Sequence, residues 1–378
     1  NKMELSKEKY LNDTYSMPFE GEEHLGTVVE LPFRTDVWRN DARTALWDFM
    51  SVILSIAQFE KVYVVASKEA LNKNTDILSP LFSNFNVQVL PIEYDDSWAR
   101  DNAPVFTRNN EGKICGVNWG FNAWGGTYNG LYDSWDKDNS MGTPLLNSLN
   151  IDEFKIKDFI LEGGSIHTNG KGTLVTTEEC LLSKGRNPNL TKNQIEDTLK
   201  KVLGQKKIIW LPYGVYNDET SGHVDNMACF LDETHVLLAS IDDKNDPMYE
   251  RYKIDLEVLK NETTADGKKI EVIEMPVPGP LYMNKEEQLS LANDDHAIVR
   301  EQGNRLAGSY VNFYMGKEFI ILPTFNDPND QKAYDILNSF YKGKKRIIQI
   351  PGREILLGGG NIHCITKQIP MPNLKEED

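Results

Sequence analysis

A cysteine behind a run of glycines, a histidine two residues from an aspartate and two acid-bearing turns stand apart from the rest of the 378-residue chain. The cysteine is Cys364, in Gly358-Gly-Gly-Asn-Ile-His-Cys-Ile-Thr366. A thiol at such a turn can face substrate and backbone donors, or it can be a small buried residue; the motif alone leaves both readings open. The histidine is His223, in Asp218-Glu-Thr-Ser-Gly-His-Val-Asp-Asn226. In an extended strand His223 and Asp225 would share one face, where a carboxylate can tune an imidazole for acid/base work. Zinc ligation is the competing reading, and a lone His-x-Asp is poor evidence for it. The third island, Tyr94-Asp-Asp-Ser-Trp-Ala-Arg-Asp-Asn-Ala-Pro104, follows a strand-like run. It is either a carboxylate site with an aromatic wall or a polar loop closed by an Arg100–Asp101 pair. The fourth is Leu161-Glu-Gly-Gly-Ser-Ile-His167, which places Glu162 at a glycine turn.

Together the islands offer one nucleophile, one histidine, several acids and few cations. A cysteine protease has no use for carboxylates crowding its thiol, whereas a cationic electrophile does. Guanidinium fits best, because its planar fork takes two carboxylates bidentately. Its central carbon is a poor electrophile and needs a strong nucleophile. A bound cation, and His223 if protonated, would each favour the Cys364 thiolate. The formal net charge of −16 argues against sequence-independent nucleic-acid binding, which needs a basic face. No apolar run approaches the roughly 18 residues of a membrane span.

The four cysteines, Cys115, Cys180, Cys229 and Cys364, include no CxxC pair and are too few for a disulfide framework. Cys115, Cys180 and Cys229 read as scaffold, as do His24, His167, His235, His296 and His363. His363 is included because neighbours in an extended segment point opposite ways. The start, Asn1 to Ser6, has no positive region followed by an apolar run; it reads as a short leftover before Met3 or the end left by a removed leader. Free thiols point to the cytoplasm.

The elements that must position these residues alternate. Strand-like runs begin at Lys61, Val87, Gly172, Lys207, Thr234, Lys269, Glu318 and Arg346. Helical spacing appears at 40–58 (Ala45, Trp47, Met50, Ile53, Leu54, Ala57), at 191–203 behind a Thr191 cap, and at 331–341. This is an α/β chain. Leu161-Glu-Gly-Gly-Ser-Ile-His167 and Leu357-Gly-Gly-Gly-Asn-Ile-His363 match at five of seven positions, so a fold unit is repeated.

The islands, with Met17-Pro18 to His24, Trp38-Arg39, Phe121-Asn-Ala-Trp-Gly-Gly126, Ser309-Tyr-Val-Asn-Phe-Tyr314 and Phe325-Asn-Asp-Pro-Asn-Asp330, resemble the agmatine deiminase family of the guanidine-modifying superfamily over most of the chain. The resemblance implies a five-bladed α/β propeller, the pentein fold, as one catalytic domain over 1–378. Five units would average about 75 residues each. It implies Cys364 as nucleophile, His223 as general acid/base, Asp96 and Asp225 as the carboxylates on the guanidinium, and Glu162 as support for His223. It implies agmatine as the small cationic substrate, in polyamine metabolism, with no metal or organic cofactor, and it leaves a homo-oligomer open. Trp98 and Trp124 are candidates to line the substrate methylenes, and Asp218 to meet a distal ammonium. Three departures from the family pattern, at Asn102-Ala103, at 26–33 and at Ser240, bear on the pocket rather than the chemistry. Rival readings are an amidinotransferase, a peptidyl-arginine deiminase and a non-catalytic guanidine binder.

Overall fold

The computed structural model describes residues 2–372; Asn1 lies outside them. One strand pattern recurs five times. A strand runs antiparallel to the next, a helical segment crosses over, and a third strand pairs parallel with the second. The five sets are Val105–Arg108, Ile114–Gly120 and Asp152–Ile160; Ile166–Thr168, Thr173–Thr177 and Lys207–Leu211; Ala228–Phe230, His235–Ser240 and Glu271–Pro276; Tyr314–Met315, Phe319–Thr324 and Arg346–Pro351; and Thr366–Pro370, His24–Glu30 and Lys61–Val65. The last set joins both ends of the chain and gains a fourth strand, Val87–Leu90. A parallel pair needs a long crossover, and the helices supply it. A small hairpin of Leu281–Tyr282 and Arg305–Leu306 stands apart. The architecture is therefore α/β, built of several small mixed sheets.

Local sequence explains the crossovers. Lys192–Leu203 opens on a reciprocal cap, with the Gln194 N–H on Thr191 Oγ1 (3.2 Å) and the Thr191 N–H on Gln194 Oε1 (2.9 Å), and stops at Gly204. Arg43–Ala57 buries Leu46, Phe49, Ile53 and Ile56 on one stripe. The expected stripe was wrong at Trp47, which is exposed, because it faces away from that four-residue row. No helix among the described residues is long and apolar enough to cross a membrane.

The short turns that lead into the antiparallel strands matter most. Ala99–Asn102 precedes Val105, Gly163–Ser165 precedes Ile166, Val224–Met227 precedes Ala228, 309–312 precedes Tyr314, and 358–365 precedes Thr366. Each sheet thus offers one turn, and the sequence islands fall on these turns.

Candidate active site

The five turns converge on Cys364. Its thiol is buried, 3.5 Å from Asp225 Oδ2 and 3.2 Å from Asn312 Nδ2. Trp98 and Cys364 crowd the same glycine. A Cβ on Gly360 would lie 2.7 Å from Trp98 Cζ3 and 3.0 Å from Cys364 Sγ. Gly164 marks the other side. A Cβ there would stand 2.7 Å from His223 Nδ1 and 2.8 Å from both Asp101 Oδ1 and Asp225 Oδ2. Only a residue without a side chain lets these three groups close on one point. Gly164→Ala should therefore lower kcat about 100-fold while costing about 1–3 kcal/mol of stability, because misplaced reacting groups cost more than local overpacking. Steady-state rates and thermal melting of the variant check this.

His223 is not in a strand, as the sequence suggested, but at the start of the turn Val224–Met227. The extended-strand argument fails there, and a tight helical turn brings His223 and Asp225 together instead. His223 Nε2 bonds Glu162 Oε1 at 2.9 Å, and Nδ1 stands 3.8 Å from Asp101 Oδ2 with no hydrogen-bond partner. Burial lowers the imidazole's proton affinity, but Asp101, Cys180 and Glu162 outweigh it and hold the group well above its ordinary value. Burial would raise Glu162, yet Arg186 and His223 bring it down to about 2. Arg186 spans Glu162 with Nε (3.0 Å) and Nη2 (2.7 Å) and donates to the carbonyls of Trp124 and Thr220.

The carboxylates sort by partner. Asp96 accepts from Trp38 Nε1 (2.9 Å), Trp98 Nε1 (2.6 Å), the Ser97 N–H (2.8 Å) and the Tyr132 hydroxyl. Asp225 Oδ2 meets His363 Nδ1 at 3.0 Å, while Oδ1 is buried without a partner. Burial opposes the charge on Asp225, but His363, His223 and Arg100 win and keep it low. Asp101 accepts from Trp124 Nε1 (2.8 Å) and the Gly164 N–H (2.9 Å). Trp124 itself sits at φ 63°, in the left-handed region, held there by Asp101 on its indole and Arg186 on its carbonyl. Burial pushes the Cys364 thiol well above its ordinary value, with Asp225 and Asp101 adding to the effect.

Several expectations change. Arg100 does not pair with Asp101; its Nη1 meets Glu20 Oε1 at 3.1 Å and Gln368 Oε1 at 2.7 Å. His363 does not point away from the site, because the segment is a turn and not a strand; it bridges Asp225 and Glu20. Cys180 is buried scaffold, yet its sulfur lies within 4.8 Å of ligand atoms of Glu162 and His223. That trio is the one group of at least three potential metal ligands among the described residues, and it excludes Asp225. Arg186 already covers both oxygens of Glu162, which opposes a cation there. Asp218 is engaged by the Thr220 N–H and hydroxyl (3.0 and 2.7 Å) and by Asn226 Nδ2 (3.0 Å). It borders an open cleft of about 400 Å³ with Glu219 and Arg300. Glu219 and Arg300 pair at 2.7 Å, and Arg300 also donates to the Gly358 carbonyl.

Asp101, Asn312, Arg186 and Glu20 were absent from the sequence-based set. Asp101, Asn312 and Glu20 stand inside motifs that carried the resemblance, Glu20 in the stretch from Met17-Pro18 to His24; Arg186 lies in no island, and nothing local marks it.

Residues 16–370 match the model of the Porphyromonas-type peptidyl-arginine deiminase family. The chain belongs to that family. It is 45% identical to an agmatine deiminase of Pseudomonas aeruginosa over 95% of this chain and 96% of that one. It superposes on an agmatine deiminase of Enterococcus faecalis with a TM-score of 0.92 at 34% identity, covering 98% of this chain and 100% of that chain. For an agmatine deiminase of C. jejuni the values are 0.77 and 27%, covering 95% and 96%. Members of the family thus share the site's scaffold over nearly the whole chain.

Proposed function

We propose that this chain hydrolyses agmatine to N-carbamoylputrescine and ammonia, through a covalent intermediate on Cys364. The observation that carries the reading is one buried thiol beside Asp225, opposite a His223 held by Glu162 and Asp101. The agmatine deiminases that share the fold support the choice of substrate. The five repeated strand sets support a five-bladed propeller, a single catalytic domain over 1–378 with the five turns at its centre.

At rest, burial and two acids disfavour the thiolate. A guanidinium bound by Asp96 and Asp225 reverses that balance, and Asp225 Oδ1 gains the donor it lacks. As the cation binds, the thiol gives its proton up to solvent, where it ends as the fourth proton of ammonium, and the thiolate adds to the guanidinium carbon. His223 protonates the departing nitrogen and ammonia leaves, so an S-alkylthiouronium remains on Cys364. His223 then takes a proton from water, which attacks the same carbon; the C–S bond breaks and the ureido product departs. Trp98 and Trp124 wall the methylenes. No metal or organic cofactor enters this scheme. Four free cysteines accord with a cytoplasmic setting.

The test is ammonia and ureido-product formation from agmatine, with arginine, a peptidyl-arginine and a short guanidino acid in parallel. Turnover of agmatine far above the others is the expected result. Turnover of peptidyl-arginine instead would move the substrate to the one in the family's name. Tight agmatine binding with no ammonia would make the chain a binder.

A further inference from the structure

Among the described residues, Asn312 is the one neutral side chain that donates to the thiol of Cys364. The backbone of Asn361 also favours the thiolate, and the other polar side chains around that thiol are charged or ionisable. Asp225 and Asp101 come from the turns before Ala228 and Val105, His223 sits beside Asp225, and His363 belongs to the thiol's own turn. Behind them lie Arg100, whose backbone N–H meets the Cys364 carbonyl, and Glu20. A thiolate formed there faces two carboxylates, so an N–H aimed at sulfur favours its formation.

The direction of that N–H follows from its neighbours. Asn312 Oδ1 accepts from the His363 N–H (2.9 Å) and the Cys364 N–H (3.3 Å), so its NH₂ must face Cys364 Sγ and Asn226 Oδ1 (2.8 Å). Asn226 turns its oxygen to Asn312 because its NH₂ is claimed by Asp218 Oδ2 at 3.0 Å. Asp218, when ionised, has only acceptors to offer. Its other oxygen takes the Thr220 N–H and hydroxyl, and Thr220 Oγ1 in turn receives the His223 N–H at 3.4 Å. One carboxylate therefore braces the segment carrying the base and sets the sense of a chain that ends on the nucleophile.

We propose that Asp218 is a positioning residue that fixes the polarity of a relay, Asp218 to Asn226 to Asn312, delivering an N–H to Cys364 Sγ. This replaces the expected role of Asp218 at a distal ammonium. The relay rests on Cys364 being the nucleophile.

Polarity gives a test that packing alone would not pass. In Asp218→Asn the oxygen stays on the Thr220 N–H and the new NH₂ faces Asn226. Asn226 must then flip and present its own NH₂ to that of Asn312. Asn226→Asp sets two acids 3.0 Å apart. The double variant Asp218→Asn with Asn226→Asp exchanges acid and amide and restores the original sense. The readout is the rate of Cys364 alkylation by iodoacetamide against pH, located by peptide mass, beside kcat/KM for agmatine. His223 and Glu179 are the other titrating groups beside Asp218.

Each single variant should alkylate about tenfold more slowly at fixed pH, with its midpoint displaced upward, and lose at least about tenfold in kcat/KM, the scale of one hydrogen bond to a charged group. The double variant should return to within about threefold of the parent. A double variant no better than the singles, or a Asp218→Asn variant with raised KM and unchanged alkylation, would overturn the relay. If the Asp218 variants do not fold by circular dichroism, Asn312→Asp decides, since it keeps Oδ1 and turns an oxygen toward sulfur: unchanged alkylation refutes the relay. Retained turnover in Cys364→Ala would instead refute the nucleophile, a separate result.

Discussion

Cys364→Ala removes agmatine turnover, with kcat falling by about a millionfold, yet binds agmatine as tightly as the parent. The magnitude is that of deleting a nucleophile that acts as a unit with its base. Retained binding follows from charge. Burial and two acids disfavour the thiolate, so losing the thiol leaves the acids Asp225, Asp101 and Glu162 in place. Alanine also fits, since the Cβ already packs against Gly360. Ammonia release over long incubations reads the first half and calorimetric titration the second. Turnover within 100-fold of the parent would mean another nucleophile. Lost binding would mean that the thiol holds substrate rather than attacks it.

Glu162→Gln, which leaves the nucleophile and base intact, should damage stability as well as rate. Arg186 and Glu162 are a fully buried pair at 2.7 Å. Removing one charge strands the other, at a cost of about 3–5 kcal/mol. Glutamine also cannot accept from Arg186 and His223 through one atom while keeping its NH₂ off the guanidinium. His223 loses its anchor, and kcat should fall by about 10²–10⁴, the usual worth of a positioned acid/base. The pH dependence carries a sign. Glu162 titrates near 2 in the fold against 4.5 without it, so its contribution is complete above 4.5 and fades as pH falls toward 2. His223 is raised, so its contribution is complete below 6.5 and is lost only as pH climbs through the folded value. Denaturant melts of the parent should therefore weaken on the acid side, and those of Glu162→Gln should weaken less steeply there. Equal acid slopes would show that other carboxylates govern that limb.

Much of the site could be read from residue types, because a turn that carries chemistry advertises itself: glycines for close approach, then an acid, a histidine or a thiol. Cys364, His223, Asp225, Asp96 and Glu162 all stand in such turns. What failed was local geometry. His223 and His363 were placed in extended segments, where period-two alternation governs direction, yet both lie in tight turns where neighbours can face one site. The alternative reading that paired Asp101 with its neighbour Arg100 rested on adjacency alone. In the fold Arg100 turns to Glu20, eighty positions earlier, and leaves Asp101 to His223. Arg186 could not be found at all, since a counter-ion that completes a charge from a distant segment leaves no local pattern. The repeat was legible for a different reason. Its two histidines, His167 and His363, both reach Glu20, so the matching positions answer to one carboxylate.

The strand Thr366–Pro370 closes the first sheet against His24–Glu30, and Cys364 lies just ahead of it. During synthesis the acids and the histidine leave the ribosome before the thiol. At about 5–20 residues per second, the wait from Asp96 to Cys364 is on the order of tens of seconds. Until the last strand docks, the first sheet lacks one edge, and Asn312 and Asp225 have no sulfur to meet. The nascent chain therefore carries the acids and the histidine without the thiol. A chain cut short before Thr366 would keep the thiol but leave His24–Glu30 without its edge partner.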